Sequence, residues 1–385
     1  MKKEKNMKYL LSVIIPTKNR AFYCIRAVDQ ILSLKDNRIQ IVIRDNSDTN
    51  ELEKIIREKS SKTIKYDYRD GIVSFVDNFS EAIALADGEY VLMIGDDDAV
   101  LPNVMDAVEL AKKESYDAVV PGLNAVYFWP SEQAIVKKSK NGLLCLSFIK
   151  NRKREISPNK GLEDLMRTAG QKYQSLDLPR VYHGIVKKEI LDEVKERTGR
   201  YFGGLTPDIY MATALSFVAK KVCRLYYPIT VSGICPRSGS SDSATGKHTG
   251  KLKDAPHFKG HKTYEWDKKA PAIYSVESIW AETVLQALKD FKANNYYRKF
   301  RVDVLDAICL SKYFQFKDEI YAHAKGFRVR KIHLKIKSIC YRFNTFTLKA
   351  YHKVFRRKSS VLKYYGVEDI MKAVDLTSQK ISEKM

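Results

Sequence analysis

Asp87-Gly88-Glu89-Tyr90-Val91-Leu92-Met93-Ile94-Gly95-Asp96-Asp97-Asp98-Ala99-Val100-Leu101-Pro102 is the stretch on which the reading of this chain turns. Residues 90–94 form a short apolar run after an Asp-Gly turn. They read as a strand buried on both faces, as in a parallel sheet. Three carboxylates follow at once. In an open α/β sheet, ligands gather outside the carboxyl ends of the strands. Three adjacent acids there repel one another unless a cation compensates them, and a hard divalent ion with oxygen ligands meets that need. A solvated acidic turn is the plain alternative, since Asp is common in turns and at helix starts. The buried strand ahead of the triplet, and the pattern around it, favour a site.

Upstream, the same unit repeats. Strands are predicted at 11–15, 39–43 and 63–68, with 90–94 as the fourth. Helices follow each, to about residue 34, to about residue 58 and over 73–86, and Pro102 is placed in the first turn of the next one. Polar loops at 16–20, 44–48, 69–71 and 96–98 end the strands. Such alternation implies right-handed βαβ crossovers and a Rossmann-like, mostly parallel sheet with helices on both faces. All four loops then open on one edge of the sheet.

From Asp117 the rhythm changes. Strands are expected at 118–120, 124–128, 181–186 and 224–227, and helices at 161–169, 188–197 and 207–220. Residues 236–263 are rich in Ser, Gly, Lys and His and read as a loop, either a lid or a boundary. They are no Walker loop, because six residues separate Gly239 from Gly246 and His248 stands where Ser or Thr is required. Beyond Pro271 the pattern is helical, with apolar periodicity over 274–291 and 301–313. The organisation expected is a catalytic domain over 1–235, a flexible loop or lid over 236–270 and a basic helical C-terminal region over 271–385.

The 385 residues are 44% hydrophobic, enough for a substantial core, and carry a net charge of +22, which calls for an anionic partner. Cys24, Cys145, Cys223, Cys235, Cys309 and Cys340 are scattered without metal-ligand spacing, as free thiols in a reducing compartment are. The apolar run behind the basic N-terminus stops at Pro16 and reads as a first strand, not a signal peptide. No stretch nears the roughly 20 apolar residues of a membrane span. Between residues 321 and 367 there is no Asp or Glu against thirteen Lys or Arg. Phe327, Tyr341, Phe343, Phe346, Tyr351, Phe355 and Tyr364 are interleaved with them. Such a segment suits the anionic headgroup layer of a membrane, ahead of a solvated helical face and well ahead of nucleic acid.

Val13-Ile14-Ile15-Pro16-Thr17-Lys18-Asn19-Arg20, with Ile94-Gly95-Asp96-Asp97-Asp98-Ala99, resembles the family 2 glycosyltransferases of GT-A fold over roughly residues 9–235. These are inverting enzymes that use nucleotide-diphosphate sugars. The resemblance implies a nucleotide site at Pro16, Thr17, Asn19, Arg20, Asp45, Asp70, Asn78 and Asp96, with Asp45 accepting a hydrogen bond from the base. UDP is the nucleotide favoured by family habit. A divalent metal, Mn²⁺ or Mg²⁺, is implied on Asp97, with Asp98 beside it and His248 completing the shell. The family motif is usually Asp-x-Asp-Asp, and Gly95 takes the place of its first acid. Asp208 matches the acid that deprotonates the acceptor hydroxyl, in the first turn of a helix opened by Pro207 and capped by Thr206. His183 is a candidate for the acceptor side, and Arg237 or Lys247 for the diphosphate.

The implied function is metal-dependent sugar transfer to a glycan or lipid-linked acceptor in surface polysaccharide assembly, such as capsule or lipopolysaccharide. The site expected for it is the cytoplasmic face of the cell membrane. One alternative is a sugar nucleotidyltransferase, which would need a Gly-rich loop after the first strand, and residues 16–20 hold no glycine. The other is a basic membrane- or nucleic-acid-binding protein on an inactive domain.

Overall fold

The structure is a computed structural model that describes residues 8–123, 125–132, 139–147, 149–236, 249–252, 255–258, 263–355 and 361–384, with side chains at 344–346 and 348–355 excepted. The chain begins β1 (Tyr9–Thr17), α1 (Ala21–Ser33), β2 (Ile39–Asp45), α2 (Glu51–Glu58), β3 (Ile64–Tyr68), α3 (Phe75–Ala84) and β4 (Gly88–Met93). It continues β5 (Ala99–Val100), α4 (Val104–Lys113), β6 (Ala118–Val120), β7 (Ala125–Phe128), β8 (Leu143–Ser147), β9 (Lys153–Ile156) and α5 (Pro158–Arg167). Then come β10 (Ile185–Lys187), α6 (Lys188–Thr198), α7 (Pro207–Leu215), β11 (Val222–Leu225) and β12 (Thr230–Ile234).

The main sheet has the strand order β3-β2-β1-β4-β10-β6-β11-β9. Pairings among β1 to β4 are parallel, and β10 lies antiparallel between β4 and β6. Side chains alternate across the sheet with period two. Leu11, Val13 and Ile15 therefore face one layer, with Cys24, Val28 and Ile31 of α1. Ile14, Val42, Val91 and Met93 face the other, with Phe79 and Ile83 of α3. Burial on both sides explains the unbroken apolar runs of these strands. The α/β expectation holds, with antiparallel strands added at β9 and β10.

Register brings the strand ends together. Thr17 pairs with Asp45, Asp45 with Tyr68, and Ile14 with Met93. The loops beyond them are tied to one another. Lys18 Nζ donates to Asn46 Oδ1 at 3.1 Å, and Asn46 Nδ2 donates to the carbonyls of Arg69 and Gly71 at 2.8 and 3.0 Å. Asn19, at φ 55°, bonds Asp48 twice, through Nδ2 at 2.8 Å and Oδ1 at 2.9 Å.

A second sheet, in which β12 pairs with β5 and β7, abuts this edge. Pro102 lies two residues ahead of α4 rather than inside it, because Leu101 N–H still bonds the Ile229 carbonyl at 2.9 Å and prolongs the β5 edge. The helix expected over 207–220 stops at Leu215, where the Ser216 hydroxyl turns back on the Ala212 carbonyl.

Segment 271–385, expected as a helical region of its own, is not only that. Helices Val276–Asp290, Val302–Lys312, Lys317–Gly326 and Lys331–Phe355 do pack together. The chain then returns. Strand Val361–Tyr365 pairs antiparallel with β8, and the helix Ile370–Ser382 buries Ile370, Ala373 and Val374 against Leu101, Tyr127 and Val231. Tyr127 Oη donates to the Val367 carbonyl at 2.9 Å.

Candidate active site

The acidic triplet follows β4 directly, in the turn before β5, and all three carboxylates are buried. Asp96 Oδ2 accepts from the Thr17 hydroxyl at 2.7 Å. Arg20, the residue before α1, places one guanidinium nitrogen 3.0 Å from Asp96 Oδ1 and 2.9 Å from Asp97 Oδ2. Asp97 Oδ2 also accepts from the Cys235 N–H at 3.2 Å. Asp98 faces inward. Its Oδ1 accepts from the Gly233 N–H at 2.7 Å, and its Oδ2 from the Gly95 N–H at 2.6 Å and from the Tyr182 hydroxyl at 3.2 Å. Asp97 Oδ1 is the oxygen of the triplet with no hydrogen bond or ion pair among the described residues.

Charge balance follows from this geometry. Burial pushes the Asp96 carboxyl up, Arg20 opposes the rise, and Asp97 adds to it. Burial, then Asp97, pushes Asp98 well above the usual carboxylate range. Burial alone would lower the Arg20 guanidinium, but Asp96 and Asp97 more than offset this and raise it. Among the described residues Arg20 is the one cationic side chain paired with these acids, and it reaches Asp96 and Asp97 but not Asp98. Removing Arg20 would leave buried acids uncompensated, a loss of about 3–5 kcal/mol.

Gly95 is closely surrounded by side-chain ends. A Cβ there would come within 2.9 Å of the Tyr182 hydroxyl and 3.0 Å of Asp98 Oδ2. Gly233 is bound more tightly still, since its Cβ would lie 1.7 Å from the Asp97 carbonyl oxygen. The same carbonyl accepts from Trp129 Nε1 at 2.9 Å.

His183 lies behind the triplet, buried, with φ 56° and Nδ1 2.9 Å from the Thr230 hydroxyl. Burial, then Arg180, lowers its pKa to about 3, so it is neutral. Its Nε2 approaches Asp98 Oδ2 to 3.3 Å without forming a charge pair.

Asp208 occupies the first turn of α7, after Pro207 and with Thr206 in the cap position. The Tyr173 hydroxyl donates to its Oδ2. Burial raises the Asp208 pKa, with the Tyr173 bond and the helix amides pulling the other way. Burial, then Asp98, Asp97, Asp208 and Asp96 in that order, hold the Tyr182 phenol well above the ordinary value.

The nucleotide candidates are spread along the same rim. Pro16 and Thr17 end β1. Asp45 ends β2 fully buried, its Oδ1 taken by the Ser47 N–H and hydroxyl at 2.8 and 2.5 Å and its Oδ2 by the Tyr66 hydroxyl at 2.8 Å. Asp70 is exposed and accepts from the Gly71 N–H at 2.7 Å. Asn78, on α3, keeps a buried Oδ1 with no hydrogen-bond partner. Arg237, Lys247 and His248 lie outside the described residues. Among the described residues no group of three or more metal-ligating side chains forms. That is compatible with an ion of the Mg²⁺ type, which is commonly held by one or two carboxylates and completed by substrate phosphates and water.

Reading the sequence missed Tyr173, Tyr182, Gly233, Cys235 and Trp129. Of these only Gly233 carries a local signal, a lone glycine in an apolar run, which marks close backbone approach.

Among solved structures, S. aureus TarS in complex with UDP-GlcNAc is similar at 14% identity and a TM-score of 0.47, over 87% of this chain and 92% of that one. A longer TarS structure gives 0.43 over 82% and 54%. An uncharacterized glycosyltransferase of Mycoplasma genitalium, MG060, is 32% identical over 118 residues, 29% of this chain. The match spans 40% of that relative's length. Residues 12–163 match the family model described as Glycosyl transferase family 2. That match takes in most of β1, β2 to β4 and the acidic turn.

Proposed function

We propose that this chain is an inverting glycosyltransferase that moves a sugar from a nucleotide-diphosphate donor to a hydroxyl of a glycan or lipid-linked acceptor. The observation that carries the reading is the buried acidic turn after β4, where Asp96 and Asp97 share Arg20 and Asp96 accepts from Thr17 at the end of β1. The family match supports the reaction class, and UDP stays the favoured nucleotide by family resemblance. Thr17 and Arg20 would hold the donor side, where Asp45 orders the Ser47 loop.

A divalent ion fits this turn. The donors are hard oxygens, and among the described residues Arg20 is the one paired cation and Asp97 Oδ1 is uncommitted. Asp97, with Asp96, would hold Mn²⁺ or Mg²⁺, and Asp98 is taken up by the protein. When bound, the ion supplies positive charge against the diphosphate as it leaves. Asp208 takes the proton of the acceptor hydroxyl, and burial makes it a stronger base than a solvated Asp. The acceptor oxygen bonds the anomeric carbon from the face opposite the departing phosphate oxygen, so the configuration inverts.

The acid-free region 321–367 supports a place at the cytoplasmic, anionic face of the cell membrane, in surface polysaccharide assembly. Among the described residues no helix is long and apolar enough to cross a membrane.

Calorimetric titration of UDP, with and without Mn²⁺, into the natural chain and Asp97→Asn tests the reading. Metal-dependent binding that Asp97→Asn abolishes is expected. Binding indifferent to both the metal and the substitution overturns it.

A further inference from the structure

The helix Lys331–Phe355 is fastened along one side and bare along the other. On the fastened side Leu334 and Ser338 are buried, Lys337 pairs with Asp303, and Arg342 Nε donates to the Ser311 carbonyl at 2.9 Å. On the bare side Ile332, Ile336, Ile339 and Phe343 are 64, 54, 60 and 69% exposed. At about 100° per residue these four fall within an arc of about 60°. Lys331 and Lys335 border the stripe. Isolated exposed apolar residues are ordinary, but four in register on a rigidly held helix form a patch that calls for a partner.

We propose that this stripe is an interfacial anchor for an anionic lipid surface. Ile332, Ile336, Ile339 and Phe343 enter the boundary between headgroups and acyl chains. Lys331 and Lys335 meet the phosphates along its border. The inference rests on the peripheral-membrane reading of residues 321–367 and names the face that inserts.

Charge complementarity selects the occupant. No acid interrupts the segment from 321 to 367, and the whole chain carries +22. A second copy would bring like charge to the same face. Single-stranded nucleic acid takes its hold from aromatic stacking as well as charge, and three of the four residues are isoleucines that cannot stack. Lipid asks for both features present: aliphatic bulk in a narrow stripe and cations at its edge.

The anchor bears on the proposed site through its inner side. Tyr341 of the same helix lines a cavity of about 390 Å³ that Trp280 also lines. The Trp280 ring meets the Tyr173 ring edge-on, 5.1 Å between centroids, and Tyr173 holds Asp208. An inserted stripe would keep the proposed base a short distance from the lipid surface, where a lipid-linked hydroxyl would be presented.

The test is co-sedimentation of the full chain with vesicles of phosphatidylcholine alone or mixed with phosphatidylglycerol. The natural chain is expected to bind the mixed vesicles at least about tenfold more tightly. Ile336→Asp combined with Ile339→Asp is expected to lose about tenfold or more of that binding, with UDP affinity and melting temperature unchanged. Both side chains are exposed, so folding is spared, and circular dichroism checks it. Equal binding to both vesicle types overturns the proposal, as does a double variant that binds like the natural chain. So does a double variant that loses self-association, or affinity for a single-stranded oligonucleotide, while still binding vesicles. Asp97→Asn is expected to bind vesicles normally, so a failed sugar-transfer reading and a failed anchor give different results.

Discussion

The acids after β4 and the cations of the helix Lys331–Phe355 are treated in opposite ways by the fold. Asp96, Asp97 and Asp98 are buried, and donors from Thr17, Arg20, Gly95, Tyr182, Gly233 and Cys235 hold them. Lys331 and Lys335 stand in solvent. A buried charge is expensive to desolvate, and what it gains is a fixed position. An exposed charge gains reach, limited only by salt, and almost no geometry. Chemistry on a bond needs the first arrangement. Adhesion to a broad charged surface needs the second.

Four substitutions press on that contrast. Asp208→Asn should have the largest effect, a fall in kcat of about 10²–10⁴ with UDP affinity unchanged, measured as initial rates of UDP release. A variant that keeps most of its rate would separate Asp208 from the acidic turn. Gly233→Ala, which drives a methyl into the Asp97 carbonyl, should lose about 3 kcal/mol in urea unfolding. Wild-type stability there would mean that the acidic turn is soft.

Glu282 sharpens the comparison, because among the described residues neighbouring dipoles satisfy this buried acid and no cation pairs with it. It accepts from the Asp267 N–H at 2.9 Å and Gln286 Nε2 at 2.6 Å, and burial pushes its pKa up to about 7 from an ordinary 4.5. The folded chain therefore keeps a proton that the unfolded chain releases across that interval. Stability is unpenalised well below pH 4.5, falls as pH rises, and is lower by about 3 kcal/mol above pH 7. Glu282→Gln should match the natural chain in urea well below pH 4.5 and exceed it at pH 8 by about that amount. Last, Lys335→Glu should move the urea midpoint by less than about 0.5 kcal/mol while weakening vesicle binding.

The first hundred residues were legible because each strand, loop and helix there is local. An apolar run of five residues, a polar loop and a helix of period 3.6 are all visible in a short window. Asp97 and Asp208 stood out for the same reason, one in a triplet after a strand and the other behind a Thr-Pro helix start. The partners that hold them were not legible. Gly233 meets Asp98 across 135 positions, and Tyr173 meets Asp208 across 35. Nothing in the local pattern of Val-Tyr-His-Gly shows that the Tyr182 hydroxyl will bond Asp98, 84 positions away. Strand Val361–Tyr365 was hidden by composition. Its Lys363, Tyr364 and Tyr365 share the basic, aromatic character of the helix before it, and only the distant β8 makes it a strand.

That returning strand has a practical bearing. Its companion helix Ile370–Ser382 shares a core with Trp129, whose indole steadies the Asp97 backbone, and with Cys235, whose amide bonds Asp97. Cutting the polypeptide after residue 320 to shed its cationic part would also pull a wall out from behind the acids. A shortened protein that failed to transfer sugar would therefore say nothing about lipid. Point changes on the outer stripe can ask the question that truncation cannot.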